Sequence, residues 1–245
     1  MRIVAFDTAT ALTAVAIQDI DSDARVCLLQ HLDLSAVDDP PAGQRPRHAQ
    51  RLLALIEQLF DQGDTGWEEV DRIAVGVGPG TFTGLRIGIA TAQALSASAA
   101  KPLVGVSTLR GLALAIHDLH PDHAKLAVID ARRNEAFLAG WEPGADPLEV
   151  DPALGPLVAR ADDLTTLVSS FSPGVVAGGD GAVRFAPQLA HGGALVPEAD
   201  WPQHRVSARY HCRLAAVAPG GSVIAPGRTV APMYLRVPDA ELSGG

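Results

Sequence analysis

The residues best suited to chemistry in this 245-residue chain stand in one glycine-rich stretch, residues 76–88, with the sequence GVGPGTFTGLRIG. An apolar, β-branched run precedes it at residues 72–77, and a run rich in Ala, Leu and Ile follows it at residues 85–99. This order predicts a strand, a tight turn and a helix. Backbone N–H groups at the start of such a helix can bind an anion such as phosphate, and the hydroxyls of Thr81 and Thr83 can cap it.

Two common phosphate-binding motifs are incomplete in this stretch. A P-loop requires GxxxxGK followed by Ser or Thr, and the first Lys of the chain is Lys101. The dinucleotide fingerprint GxGxxG, begun at Gly78, has Thr83 in place of its third glycine. A structural turn is therefore favoured over a phosphate site. Capping is likewise favoured over a nucleophilic role for Thr81 or Thr83, because nothing in the sequence places a base beside them.

A further polar candidate is Asp7, which ends an apolar, strand-like run at residues 3–6 and precedes Thr8-Ala9-Thr10. More strands are predicted at residues 13–18 and 25–34. From the sequence, Asp7 is either a cap of the strand end or the remnant of a phosphate site, and both alternatives stay open.

The rest of the chain repeats one order of elements: strands, a helix, a strand with a glycine loop, and a helix. Loops are predicted at 35–47 and 143–156, helices at 48–61, 108–119, 162–171 and 206–218, and strands at 102–107, 126–130, 136–141 and 175–177. The shared order predicts an α/β fold of two similar domains, residues 1–105 and 106–245, with the final segment packing back on the first domain.

Composition limits the kinds of function. The formal net charge is −9 and the isoelectric point is near 5.3, which argues against tight binding of nucleic acid by the chain alone. Cys27 and Cys212 give neither a disulfide framework nor zinc spacing, and they suit a reduced cytoplasm. No apolar run approaches the ~20 residues needed to span a bilayer, and Asp7 interrupts the N-terminal run, so we expect a cytoplasmic protein without membrane contact.

Three stretches resemble the TsaB (YeaZ) family of bacterial subunits for tRNA threonylcarbamoyladenosine synthesis. They are GPGTFTGLRIG at residues 78–88, LAVIDARRNEAFLAGW at 126–141 and PMYLR at 232–236. The resemblance implies two similar domains of the actin, sugar kinase and Hsp70 type (ASKHA, ribonuclease H-like). It does not extend recognisably to residues 33–47 and 183–228.

The resemblance also implies a function. A TsaB-like chain is a non-catalytic scaffold that binds TsaD, which transfers the threonylcarbamoyl group to the adenosine beside the tRNA anticodon, and with it TsaE, an ATPase. It implies no catalytic, cofactor or metal residues in this chain, with ATP or ADP shared only in the complex. Because of the net charge, we expect tRNA to be reached only through the complex. A partner surface left uncovered would be sticky, so we expect the isolated chain to form a homodimer. The alternative is a stand-alone phosphotransferase or glycoprotease-like peptidase of the same fold.

Two departures from catalytic relatives favour the scaffold. In ATP-using members of the superfamily a glycine follows the first aspartate closely, whereas Ala9 and Ala11 occur here. In TsaD a helix carries the metal-binding pattern HxxxH, which places both histidines on one face. This chain has Leu52 four residues after His48. The sequence therefore predicts neither kinase nor metal-dependent chemistry.

The partner surface is predicted on the helices at 48–61 and 85–99. The apolar residues of the first helix cover a broad arc, of which Leu52 and Ile56 are expected to face the sheet. Small residues every four positions give the second helix a ridge that another helix could approach closely. The predicted contact residues are His48, Arg51, Leu55, Leu59, Gly84, Gly88 and Ala92. Two such pairs of helices would meet as a four-helix bundle.

Overall fold

The computed structural model describes residues 1–21, 33–41, 44 and 46–236. Its strands are β1 (Arg2–Asp7), β2 (Thr13–Asp19), β3 (Asp33–Asp38), β4 (Arg72–Gly78), β5 (Leu103–Ser107), β6 (Ala124–Arg132), β7 (Glu135–Trp141), β8 (Leu154–Arg160), β9 (Val175–Gly178) and β10 (Val223–Ile224). Its α-helices are α1 (His48–Gly63), α2 (Phe82–Ala99), α3 (Thr108–His117), α4 (Ala161–Phe171), α5 (Asp180–Arg184), α6 (Ala186–His191) and α7 (Ala208–Ala216). The fold is therefore mixed α/β.

The first sheet has six strands in the order β10-β5-β4-β1-β2-β3. Strand β4 runs parallel to both β1 and β5, with Phe6 opposite Val75 and Gly76 opposite Val106. Because parallel strands end at the same edge of a sheet, this register brings together Asp7, the glycine loop after β4 and the start of α3.

The second sheet has four strands in the order β8-β7-β6-β9. Strands β6 and β9 are parallel, and Ala127 lies opposite Gly178. The antiparallel hairpin of β6 and β7 turns at the same end of the sheet as the glycine loop that follows β9. The second sheet thus places polar residues at one edge in the same way as the first.

Helices cover both sheets in layers. In β1, Val4 and Phe6 pack in the core beneath α1 and α2, whereas Ile3 and Ala5 pack on the other face with α7. A strand buried on both faces explains the continuous apolar run in the sequence. Helix α3 lies between the sheets, against β6 and α7, and α4, α5 and α6 cover the outer face of the second sheet.

Both predicted loops contain a strand. Strand β3 occupies the start of the loop predicted at 35–47, and β8 occupies the end of the loop predicted at 143–156, so both predictions are wrong there. Each is an edge strand of its sheet, where Pro156 is tolerated because only one side of the strand needs backbone donors. Most of the strand predicted at 25–34 lies outside the described residues.

Two expectations from composition concern the membrane and the cysteines. Within the described ranges, no helix combines the length and apolar character needed to cross a bilayer. Cys212 is buried in α7, and burial raises the pKa of its thiol, so it behaves as a packing residue. Cys27 lies outside the described residues.

Candidate functional site

The glycine loop after β4 packs directly against the chain that follows β1. A methyl group at Gly84 would lie 1.9 Å from the carbonyl oxygen of Thr8, and one at Gly80 would lie 2.3 Å from that of Ala9. The hydroxyl of Thr8 donates to the carbonyl of Gly84 at 2.8 Å. The space in front of α2 is therefore filled by the main chain of Thr8 and Ala9, where a phosphate would need room.

Thr81 precedes α2, but its side chain makes no capping hydrogen bond, so the predicted hydroxyl cap is wrong there. Its backbone N–H instead donates to the carbonyl of Ala9 at 2.7 Å, and Thr83 lies exposed in the first turn of the helix. The contact with the first loop takes up the donor that an anion would have used.

Asp7 is buried at the junction of three elements. One carboxylate oxygen accepts from the backbone N–H of Ala9 at 2.7 Å, and the other accepts from the hydroxyl of Thr108 at 2.7 Å and from Nε2 of His211 at 2.8 Å. Burial alone would raise the pKa of Asp7. The hydrogen bond and the charge of His211, together with the hydrogen bonds from Ala9 and Thr108, instead hold this pKa below its ordinary value. Asp7 therefore caps the strand end and ties α3 and α7 to the first sheet.

The second sheet carries a related polar group at its edge. Asp180 follows the glycine loop after β9 and accepts from the backbone N–H of Asp130 at 3.1 Å. Burial, with a smaller contribution from the charge of Asp130, raises the pKa of Asp180 to about 6. The carboxylate of Asp130 accepts from Arg132 at 3.1 Å and from Arg184 at 3.0 Å.

A cavity of about 240 Å³ opens between the first loop and this second carboxylate. Thr10 and Leu12 line it from the first half of the chain, and Asp180 and His204 line it from the second. Arg205, which also lines it, forms an ion pair with Asp39 at 3.1 Å. Residues that follow β1 and residues that follow β9 thus face one space in this cavity.

The closing segment, residues 230–236, is a strap that joins the two halves. The backbone N–H of Met233 donates to the carbonyl of Val77, and the ring of Tyr234 lies 5.3 Å from that of Phe82. Arg236 then donates to Glu135 at 2.8 Å, on the hairpin of the second sheet. The PMYLR stretch therefore has a structural role that spans both sheets.

The residues predicted as partner contacts lie mostly inside the chain. Only Arg51 among them is not buried. The buried residues are His48, Leu55, Leu59, Gly84, Gly88 and Ala92. Leu55 and Leu59, which were predicted as partner contacts, pack in the core instead, because the sheet and α2 bury a wider arc of the helix than predicted. Leu52 and Ile56 do pack in the core beneath α1. The helices themselves remain predicted partner elements.

His48 is buried at the start of α1, where its Nδ1 lies 2.8 Å from the hydroxyl of Thr13. Burial lowers the pKa of His48. In the part of the chain that the structure describes, no group of three or more His, Cys, Asp or Glu side chains is arranged to hold a metal ion. His48 thus serves the packing of α1 on β2.

Sequence reasoning did not find His211 or Thr108 as partners of Asp7. His211 lies in a helix that was predicted, but 204 positions separate it from Asp7, and no local pattern reports so distant a contact. Gly111 offered an indirect signal, because a methyl group there would lie 2.8 Å from the imidazole of His211. Only the assembled fold shows why a glycine stands in the middle of α3.

Comparison with known proteins concerns the chain as a whole. A protein-family model described as TsaD, tRNA N6-adenosine threonylcarbamoyltransferase, matches residues 40–167, more than half of the chain. The tRNA threonylcarbamoyladenosine biosynthesis protein TsaB of Escherichia coli (strain K12) is 36% identical over 143 residues, which cover 58% of this chain and 55% of that protein. The chain belongs to this TsaD-like family and, within it, to TsaB (YeaZ).

Other members of the TsaB (YeaZ) family agree with this assignment. The protein of the same description from Haemophilus influenzae is 34% identical over 128 residues, covering 52% of this chain and 53% of that protein. The chain thus spans about half the length of the curated relatives it matches. A crystal structure from Pseudomonas aeruginosa, described as similar to peptidase YEAZ, superposes with a TM-score of 0.73 at 26% identity. That superposition covers 96% of this chain and 99% of the other.

Proposed function

We propose that this chain is a non-catalytic scaffold subunit in tRNA threonylcarbamoyladenosine biosynthesis, and that it binds a TsaD transferase and, with it, TsaE. The observation that carries the proposal is the filled space in front of α2. Thr8 and Ala9 occupy the position in which the glycine loop would otherwise meet a phosphate, and Thr81 already donates to Ala9. The family assignment supplies the pathway, since curated relatives carry its name.

The state of Asp7 supports the same proposal. An aspartate that assists phosphoryl transfer needs a free oxygen directed at the substrate or its metal ion. Both oxygens of Asp7 are buried and accept hydrogen bonds from Ala9, Thr108 and His211. Strand β4 and helices α3 and α7 together enclose this carboxylate, so its use in holding the fold argues against the phosphotransferase alternative.

The outer faces of α1 and α2 are the best candidates for the TsaD contact. Thr83, Ile87, Ala90 and Ala94 repeat along α2 at helical spacing, and all are exposed or half-buried. Leu53 on α1 is 48% exposed although it is a large apolar residue. Small and apolar residues on two neighbouring helices suit packing against a matching pair from a relative as a four-helix bundle. The same face would pair two copies of the isolated chain.

Nucleotide and tRNA are assigned to the complex rather than to this chain. The net charge of −9 opposes phosphate binding by the free subunit. Arg132 at the tip of the β6–β7 hairpin is 60% exposed along its side chain, so it could still contact RNA once TsaD holds the tRNA nearby. ATP or ADP would be shared with TsaD and TsaE.

The decisive experiment separates assembly from chemistry. The purified chain alone should neither modify tRNA nor hydrolyse ATP or peptide, and addition of TsaD and TsaE should produce threonylcarbamoylated tRNA, detected by mass spectrometry of nucleosides. Sustained tRNA modification by the lone chain would show that it is an enzyme, and the proposal would be wrong.

The interface is tested with two surface variants, Ala90→Arg and Leu53→Glu. Both positions are exposed, so each variant should melt like the wild type while capture of TsaD and self-association weaken. Ala190→Arg, on the exposed face of α6, is the matched control. If both test variants fold and bind TsaD as well as the control, the interface lies elsewhere.

A further inference from the structure

A larger cavity, about 380 Å³, lies between the two sheets, at a different place from the cavity beside Asp180. Val104 and Val106 line it from β5, and Trp141 lines it from β7. Leu214 and Val217, at the end of α7, and Met233 of the strap complete the apolar wall. The volume falls in the range of about 300–1,000 Å³ that is typical of small-molecule sites.

Arg110 supplies the charge in this otherwise apolar space. It lies in the first turn of α3 and lines the cavity. Its Nη2 donates to the carbonyl of Val150 at 3.0 Å and to Asp151. Nε and Nη1 have no hydrogen-bond partner among the described residues. Three N–H groups of this guanidinium, one on Nε and two on Nη1, therefore remain available to an acceptor.

The counter-ion of Arg110 is weakly held. The side chain of Asp151 is 94% exposed, whereas that of Arg110 is only 25% exposed. An ion pair with so exposed a partner contributes little stability, because water competes for the carboxylate. Ser107 lines the same cavity, and its oxygen accepts from the backbone N–H of Arg110, which leaves the hydroxyl proton free to donate.

We propose that this cavity binds a small amphipathic carboxylate, with its apolar body against Val106, Trp141 and Leu214 and its carboxylate on Arg110 and Ser107. A cation is disfavoured by the guanidinium, and a fully polar anion would leave the apolar wall unsatisfied. A carboxylate has two acceptor oxygens, so one can accept from Arg110 and the other from the Ser107 hydroxyl, which a spherical anion cannot match. This site is independent of the surface assigned to TsaD.

The ligand would contact both sheets, α7 and the strap at once. A ligand that binds only the folded state should raise the melting temperature, by an amount that grows with the logarithm of its concentration above Kd. This coupling provides a readout that requires no enzymatic activity.

The test compares octanoate with 1-octanol, which share a chain length and differ in charge. Ligand-observed NMR and thermal melts of the full chain should show binding of both, with octanoate tighter. Arg110→Gln should weaken octanoate about tenfold and leave 1-octanol nearly unchanged. Arg205→Gln, at the other cavity, is the control and should change neither.

A second pair of variants fills the cavity. Ala218→Phe and Val217→Phe each place a ring at the cavity wall. Ala218 is half-buried and Val217 is 38% exposed, so both positions should tolerate the change. Each variant should abolish binding of both probes. The proposal is overturned if octanoate does not bind the wild type at millimolar concentration. It is equally overturned if Arg110→Gln leaves the preference for octanoate intact. The same holds if a cavity-filling variant folds and still binds both probes.

Discussion

Nε2 of His211 donates to Oδ2 of Asp7 at 2.8 Å, and both side chains are almost completely buried. Because a carboxylate can only accept, the proton of this hydrogen bond belongs to the imidazole. The hydroxyl of Thr108 donates to the same oxygen. One carboxylate thus joins the first strand to a helix from the middle of the chain and to the last helix.

Removing the imidazole should destabilise the fold strongly. His211→Ala leaves a buried carboxylate without its main partner, and we expect a loss of about 3–5 kcal/mol in the free energy of unfolding. Urea denaturation at pH 7 measures this loss. His123→Ala, at an exposed position, should stay within about 0.5 kcal/mol of the wild type. Equal stability of the two variants would mean that Asp7 finds other partners.

The Asp7 carboxylate should also make stability depend on pH. Its pKa is lower in the folded chain than the ordinary value of 3.8, so its contribution is complete above about pH 5 and is lost as the pH falls through the folded value. The difference in unfolding free energy between wild type and Asp7→Asn should therefore shrink steadily from pH 5 to pH 3. A constant difference over this range would contradict the lowered pKa.

Asp180 should show the opposite dependence. Its pKa rises from 3.8 to about 6 on folding, so the folded state holds the proton more tightly and stability falls as the pH rises from about 4 to about 6. Asp180→Asn should be more stable than the wild type by about 1–3 kcal/mol at pH 8 and nearly equal to it below pH 4. The amide oxygen can still accept from Asp130. Asp162→Asn, an exposed change in α4, is the control and should show no such trend.

Adding one methyl group at the glycine loop should be costly. Gly84→Ala would place a carbon 1.9 Å from the carbonyl oxygen of Thr8, which is backbone and cannot rotate away. We expect a loss of about 1–3 kcal/mol in thermal or chemical unfolding, as in other overpacked sites. Gly220→Ala meets nothing within 4 Å and should be nearly neutral. A neutral Gly84→Ala would show that the two loops are not in contact.

Neighbouring leucines of α1 should respond very differently to a charge. Leu55 is 3% exposed and Leu53 is 48% exposed. Leu55→Glu buries an unpaired carboxylate in the core and should unfold the chain or lower its melting temperature by many degrees. Leu53→Glu should melt normally. Circular dichroism melts of the pair would expose an error in the register of α1 if the order were reversed.

The sequence predicts most helices and central strands of this fold, because their apolar patterns are local. The helix expected at 48–61 is α1, which continues to Gly63, and the strand expected at 72–77 is β4. The edge strand β8 and most of β3 escape prediction, because their pairing on one side permits polar residues and Pro156. The local sequence pattern thus predicts central strands, which are buried on two faces, better than edge strands, which pair on one side only.

The candidate site was predicted less completely than the fold. The glycine loop and Asp7 are visible in the sequence. The contact of Thr8 and Ala9 with this loop, however, depends on the register of β1 against β4. The choice between a capping and a phosphate-binding Asp7 depends on His211, which only the long-range packing of α7 supplies. Buried residues of α1 were predicted as partner contacts, because the width of an apolar arc does not determine how much of it the chain's own sheet covers.

The position of α7 and β10 on the first sheet has a consequence for synthesis on the ribosome. Strand β5 is made long before β10 pairs with it, and the face with Ile3 and Ala5 stays uncovered until α7 emerges. At roughly 5–20 residues per second, this interval lasts on the order of ten seconds. During that time the nascent chain carries an open apolar face and a free strand edge, both of which attract other chains. The apolar core on this face of the first sheet is therefore completed only after α7 has left the exit tunnel.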